Sequence, residues 1–171
     1  MKVTIDTTAV VSGIFWKRDS HTILNLVASG DLDNVISDEI FEEYEDVCLR
    51  DKLLEKTEQD AANIKASLSE LKKFSTFVKP KTKFDAVKDD PKDNKFLDAA
   101  FEGKADYIIT RDKKHLLKLK KFKGIKIVEP EQFLKLEFSR FLPDFIVETP
   151  QGTYVFEAKT GKLRKRLNKL E

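Results

Sequence analysis

The sequence predicts an α/β domain with a mostly parallel central sheet. Short apolar runs recur along the chain: "KVTI" (2–5), "NVI" (34–36), "DYIIT" (106–110) and "IKIV" (125–128). Between them, apolar residues return at helical spacing. Strands alternating with helices indicate parallel strands joined by crossovers. A third observation bears on function. Two of the runs end on a carboxylate, Asp6 and Asp112, and open sheets of this class gather their sites at the carboxyl ends of the strands.

Taken in order, "KVTI" is a strand ending at Asp6, and Val10, Val11, Ile14 and Phe15 place a helix directly behind it. Trp16 closes that apolar stripe and is assigned to the core or an interface. "SHTILNLVASGD" is a second helix, stopped by Gly30. After the strand "NVI", Ser37 caps the helix "DEIFEEYEDVCL", which carries Cys48 on its buried side. Residues 57–73 form an amphipathic helix expected to line a substrate groove, and "FSTFVKP" returns to the sheet. Beyond the polar connector 81–89, "DPKDNKFLDAAFEGK" opens as a capped helix, with Asp90 at the cap and Pro91 in the first turn. The strand "DYIIT", a short helix near 113–118, the strand "IKIV" and the helix "PEQFLKLE" complete a domain over residues 1–137. From Phe138 the pattern changes to two strands around "TPQG", so residues 138–171 read as a hairpin with a basic tail.

Composition excludes more than it assigns. Lys and Arg (32) nearly balance Asp and Glu (30), and a net charge of +2 selects no partner. The lysines that follow Asp112, such as Lys113, Lys114 and Lys118, make a solvated face or a surface for a polyanion. Cys48 is the single cysteine, so no intrachain disulfide forms and a reducing cytoplasm is expected. The N-terminus "MKVTID" has no apolar signal region, and no segment reaches the length of a membrane span.

The carboxylates carry the chemistry. In a parallel sheet Asp6 and Asp112 emerge at one edge, and two neighbouring anions repel unless a cation or proton intervenes. In the helix 38–49, Ile40, Tyr44 and Val47 mark the inward stripe. Glu43 lies about 60° off it, whereas Glu39, Glu42, Glu45 and Asp46 lie at about 100° or more. In the helix 91–103, Phe96, Leu97, Ala100 and Phe101 form the apolar face; Asp93 falls near its middle and Asp98 points away. Each acid taken alone has a plainer reading as a helix cap or surface group. Together, Asp6, Glu43, Asp93 and Asp112 describe an anionic pocket whose hard oxygen donors suit Mg²⁺ or Mn²⁺.

The ordered set "IDTTAVVSGIF", "SDEIFEEYEDV" and "DPKDNKFLDAAFEGKADYIITRDKKHLL" resembles the PIN-domain ribonucleases, over about residues 1–137. More narrowly, it is similar to the toxin component of prokaryotic toxin–antitoxin pairs. The resemblance implies a three-layer α/β/α sandwich and Mg²⁺- or Mn²⁺-dependent hydrolysis of RNA that leaves a 5′-phosphate and a 3′-hydroxyl. It places the family's acids on Asp6, Glu43, Asp93 and Asp112, as metal ligands and catalytic groups. Asp90 matches an accessory acid, and Thr110 matches a hydroxyl that orients the last Asp. Arg111, Lys113 and Lys114 become candidate contacts to the RNA backbone. The family's Asp-Thr-Asn is here Asp6-Thr7-Thr8, so Thr8 keeps a hydroxyl and loses an amide. A cognate antitoxin and homodimerisation are implied partners.

Other readings stay open. "PDFIVETPQGTYVFEAK" resembles the PD-(D/E)XK nuclease signature, with Asp144, Glu157 and Lys159 as a second site acting on DNA. "IDTTAV" is similar to phosphatases with a nucleophilic Asp, although Thr8 stands where those have a second acid. An acidic pocket retained as a non-catalytic binding module is a third alternative. His21 and His115 lack ligand partners at metal spacing and read as surface or structural residues.

Overall fold

A computed structural model of the chain describes residues 1–16 and 18–137, together with the backbone of 145–149, 152–157 and 162–165. The chain divides into two compact units, Met1–Glu131 and Gln132–Glu171.

The first unit is built on a six-stranded sheet of order β3-β2-β1-β4-β6-β5. Its strands are β1 (Lys2–Ile5), β2 (Asp33–Ile36), β3 (Ser75–Phe77), β4 (Tyr107–Ile109), β5 (Lys121–Phe122) and β6 (Ile125–Val128). All pair in parallel except β5, which runs antiparallel to β6. Val3, Val35, Ile36, Ile108 and Ile109 have no exposed surface, as strands covered on both faces require. The helices are α1 (Thr7–Phe15), α2 (Asp19–Ala28), α3 (Asp38–Cys48), α4 (Asp51–Thr57), α5 (Ala61–Lys73), α6 (Asn94–Glu102) and α7 (Leu116–Leu119); α8 (Pro130–Glu137) begins in this unit and ends in the next. The result is an α/β/α fold with a mostly parallel sheet. Among the described residues, no helix is long and apolar enough to cross a membrane.

Several boundaries differ from the sequence reading, each for a local reason. The helix expected over 57–73 starts only at Ala61, as α5, and an unforeseen short helix, α4, ends at Thr57 before it. Thr57 turns its hydroxyl back onto the Leu53 carbonyl (2.7 Å), Glu58 is left-handed (φ 53°), and Asp60 caps α5 through the Ala62 N–H (3.1 Å). The segment after Asp90 opens as a 3₁₀ turn, Pro91–Asp93, before α6 begins. The unforeseen β5 forms because Lys123 (φ 49°) and Gly124 (φ 93°) turn the chain back onto β6. Trp16 is 45% exposed and is no core residue, whereas Cys48 is fully buried.

Asp98 also departs from its reading. It is buried and accepts from the Phe84 N–H (2.8 Å) and pairs with Lys83 (3.3 Å). Asn94, on the same helix, accepts from the N–H groups of Ala86 (3.0 Å) and Val87 (2.9 Å). The polar connector is therefore fastened along α6 by side chains that satisfy its backbone.

The second unit holds a three-stranded antiparallel sheet, β7 (Phe145–Thr149), β8 (Gly152–Glu157) and β9 (Lys162–Lys165), in the order β7-β8-β9. The register Thr149↔Gly152 makes β7 and β8 the hairpin read from the sequence. The strand β9 adds to it where only a basic tail was expected. Asp144 and Lys159 lie outside the described residues, and Glu157 is the last residue of β8.

Candidate active site

The sheet register builds one wall. The strands β1 and β4 are neighbours with Ile5 opposite Ile109, so Asp6 and Thr110 leave the sheet side by side, joined by Asp6 N–H to the Ile109 carbonyl (2.9 Å). Asp6 is 3% exposed. Its Oδ2 accepts from the hydroxyls of Thr110 (2.6 Å) and Thr8 (2.5 Å). Each hydroxyl also accepts a backbone N–H from the chain that follows β4: Thr110 from Asp112 (2.9 Å), and Thr8 from Arg111 (3.0 Å). Thr8, the departure from the usual motif, thus orients Asp6 through its hydroxyl.

The helix α3, capped by Ser37 on the Ile40 N–H (3.3 Å), supplies Glu43. Its Oε1 accepts from Thr7 Oγ1 (2.5 Å), and its Oε2 is ion-paired with Lys95 Nζ from α6. The next residue, Tyr44, is fully buried and donates its hydroxyl to the Ile5 carbonyl, tying α3 to the end of β1.

Asp93 and Asp112 complete the acids. Asp112 caps the turn into α7, accepting from Lys114 (3.0 Å) and His115 (3.3 Å) on Oδ1 and from Leu116 (3.1 Å) on Oδ2. His115 directs Nδ1 at Asp112 Oδ2 (3.1 Å) and Asp93 Oδ2 (3.5 Å). One ligand atom each from Asp90, Asp93 and His115 lies within 4.8 Å of the others. Asp6, Glu43, Asp90, Asp93, Asp112 and His115 all line one open cleft of about 460 Å³, with Thr7, Thr8, Val11 and Val47.

The electrostatics are those of crowded anions. Burial raises the Asp6 carboxyl, the hydroxyls of Thr110 and Thr8 oppose it, and Glu43 and Asp112 raise it further. Burial, followed by Asp6, Asp90 and Asp112, pushes Asp93 up to about 7. For Asp112, burial is outweighed by the N–H groups of Leu116 and Lys114 and by His115, and the net shift is downward. Carboxylates held this close favour a cation between them. Oxygen donors with one imidazole fit Mg²⁺ or Mn²⁺.

The structure therefore brings Asp6, Glu43, Asp93 and Asp112 together, with Asp90, Thr8 and Thr110 around them. It treats the basic candidates differently. The Arg111 guanidinium is engaged inside the unit by Ser20 (3.1 Å) and Glu131 (2.5 Å). Lys113 reaches Glu129 (3.2 Å) from an exposed position, and Lys114 is exposed. The helix α5 lines a separate cavity of about 130 Å³ with residues of α1 and α2, away from its expected groove.

Three site residues escaped the sequence reading. His115 was set aside for lack of partners, yet its place three residues after Asp112 was the available signal for a cap-linked pair. Lys95 sits two residues from Asp93, about 200° away on an ideal helix, which hides it from angular reasoning. Thr7 had no signal beyond standing next to Asp6.

A family model described as PIN domain matches residues 2–114. No curated protein and no solved structure was found to match the chain.

Proposed function

The chain belongs to the PIN-domain family, and from that premise we propose that its acidic cleft hydrolyses RNA phosphodiester bonds as a divalent-metal-dependent endoribonuclease. A PIN domain implies a metal-dependent nuclease. The observation that carries the reading here is the convergence of carboxylates from β1, α3, the 3₁₀ turn and the β4–α7 junction on one open cleft.

Asp6, Asp93 and Asp112 would hold Mg²⁺ or Mn²⁺, with Asp90 and His115 beside them. When bound, such an ion eases ionisation of water and offsets the charge gathered on the phosphate oxygens. The chain's own groups set the geometry. Thr8 and Thr110 fix the orientation of Asp6, and the backbone of α7 fixes Asp112. Glu43, held by Thr7 and Lys95, binds the ion or orients the attacking water. Lys113 and Lys114 contact the RNA backbone, a sequence-independent attraction, while Arg111 braces the loop.

Asp112→Asn removes one charge without changing shape. RNA cleavage with Mn²⁺ or Mg²⁺ is expected to fall by about a hundredfold or more, read beside a DNA substrate of the same sequence. Undiminished cleavage excludes the assigned site. The toxin role of this cytoplasmic ribonuclease, with a cognate antitoxin and a homodimeric state, belongs to the same proposal. Growth arrest on expression, relieved by co-expressing a small neighbouring protein that binds the chain, tests it.

A further inference from the structure

Glu43 differs from Asp112, whose two oxygens are held by backbone N–H groups, in having a lysine ammonium as a partner. Both of its oxygens are engaged from within the chain, Oε1 by the Thr7 hydroxyl (2.5 Å) and Oε2 by the Lys95 ammonium. The Lys95 side chain is only 11% exposed and that of Glu43 28%, so this ion pair is partly buried behind the cleft wall that Glu43 lines and is no loose surface bridge. The charge of Glu43 is thus matched before any ion arrives. The opposite holds where Asp90 and Asp93 approach His115 within 4.8 Å, with Asp112 next to them: three carboxylates there share one imidazole. Glu43 thus has an ammonium of its own, while the other acids have a single imidazole among them.

We propose that Lys95 is the resident cation behind the cleft wall, a positioning residue that keeps Glu43 off the divalent ion and leaves a single ion site at Asp6, Asp93 and Asp112, beside His115. The inference rests on the nuclease reading and decides between the two roles left to Glu43: it orients water and is no metal ligand. Lys95 takes the electrostatic place that a second ion has in two-ion phosphoryl-transfer sites. Its ammonium accepts no ligand exchange, so Glu43 stays in one orientation, with Thr7 as the second restraint.

Mn²⁺ titration calorimetry on the full chain, stripped with chelator beforehand, tests this. The wild type is expected to bind one ion per chain. Glu43→Gln is expected to change the Mn²⁺ affinity by less than about twofold, whereas loss of a ligand costs about tenfold or more. Lys95→Met is expected to admit a second ion, and Lys95→Arg to keep one. A tenfold loss in Glu43→Gln, or unchanged stoichiometry and affinity in Lys95→Met, overturns the proposal. A metal-free measurement guards against misfolding of the variant. In chelator, Lys95→Met is expected to lower the melting temperature, and adding Glu43→Gln to restore at least half of the loss. Additive effects overturn the ion pair. If Asp93→Asn abolishes Mn²⁺ binding while the Lys95 tests fail, this inference alone falls. If Mn²⁺ binding is indifferent to Asp93→Asn, the nuclease reading falls, and the one-ion assignment with it.

Discussion

At the scale of single residues, Asp93 stores an electrostatic cost that metal-free unfolding can measure. Its carboxyl titrates near 7 in the fold because of burial and then of Asp6, Asp90 and Asp112, against about 3.9 in the unfolded chain. The raised value means that folding favours the neutral form. Below about pH 4 both states are protonated and the group is silent. As pH rises from about 4 to about 7 the unfolded chain ionises first, and stability falls; above that the penalty is constant. Asp93→Asn should therefore stabilise the metal-free protein at pH 8, by up to a few kcal/mol, on the order of 2–4, and leave it unchanged at pH 4. Thermal melts in chelator at the two pH values check this; an equal gain at both means charge is not the cause. Cys48 offers a cleaner expectation. Burial pushes its thiol up to about 12, so the native protein should resist alkylation until it unfolds, as mass spectrometry of iodoacetamide-treated samples will read.

At the scale of elements, close packing of α6 on the sheet depends on Gly103. A Cβ built there would stand 2.0 Å from Val35 Cγ1 and 3.2 Å from the Ala99 carbonyl oxygen. The constraint is contact with β2, since the backbone is ordinary. Gly103→Ala is expected to destabilise by about 1–3 kcal/mol, visible as a lower denaturation midpoint at unchanged slope. The ease of reading each element follows from what decides it. The strands β1 and β6 and the helix α8 coincide with their sequence runs because the spacing of their apolar residues, alternate in β6 and helical in α8, shows in the sequence itself. The α4–α5 break, the 3₁₀ turn and β5 depend on single caps and on positive φ at Glu58 and Lys123, non-glycine residues whose identity does not announce it. Glu43 was legible because one helix phase decides its direction. Lys95 and His115 were not, because long reach and cap geometry decide theirs.

At the scale of the molecule, a nearly neutral chain works through local charge. Net charge is +2, yet an acidic cleft opens beside exposed Lys113 and Lys114. If these grip RNA, binding by the inactive Asp112→Asn protein should weaken as salt rises. Lys113→Ala with Lys114→Ala should flatten the slope of log K against log salt by about 1–2. Fluorescence anisotropy with a labelled single-stranded RNA measures this, and a slope untouched by the double substitution moves the contact elsewhere.

The Thr110 hydroxyl has one further consequence. It gives its only proton to Asp6 and takes the N–H of Asp112 on the same oxygen. The carboxylate of the first acid and the main chain of the second meet at one atom. Any redesign of this centre that removes that oxygen touches both strand ends at once.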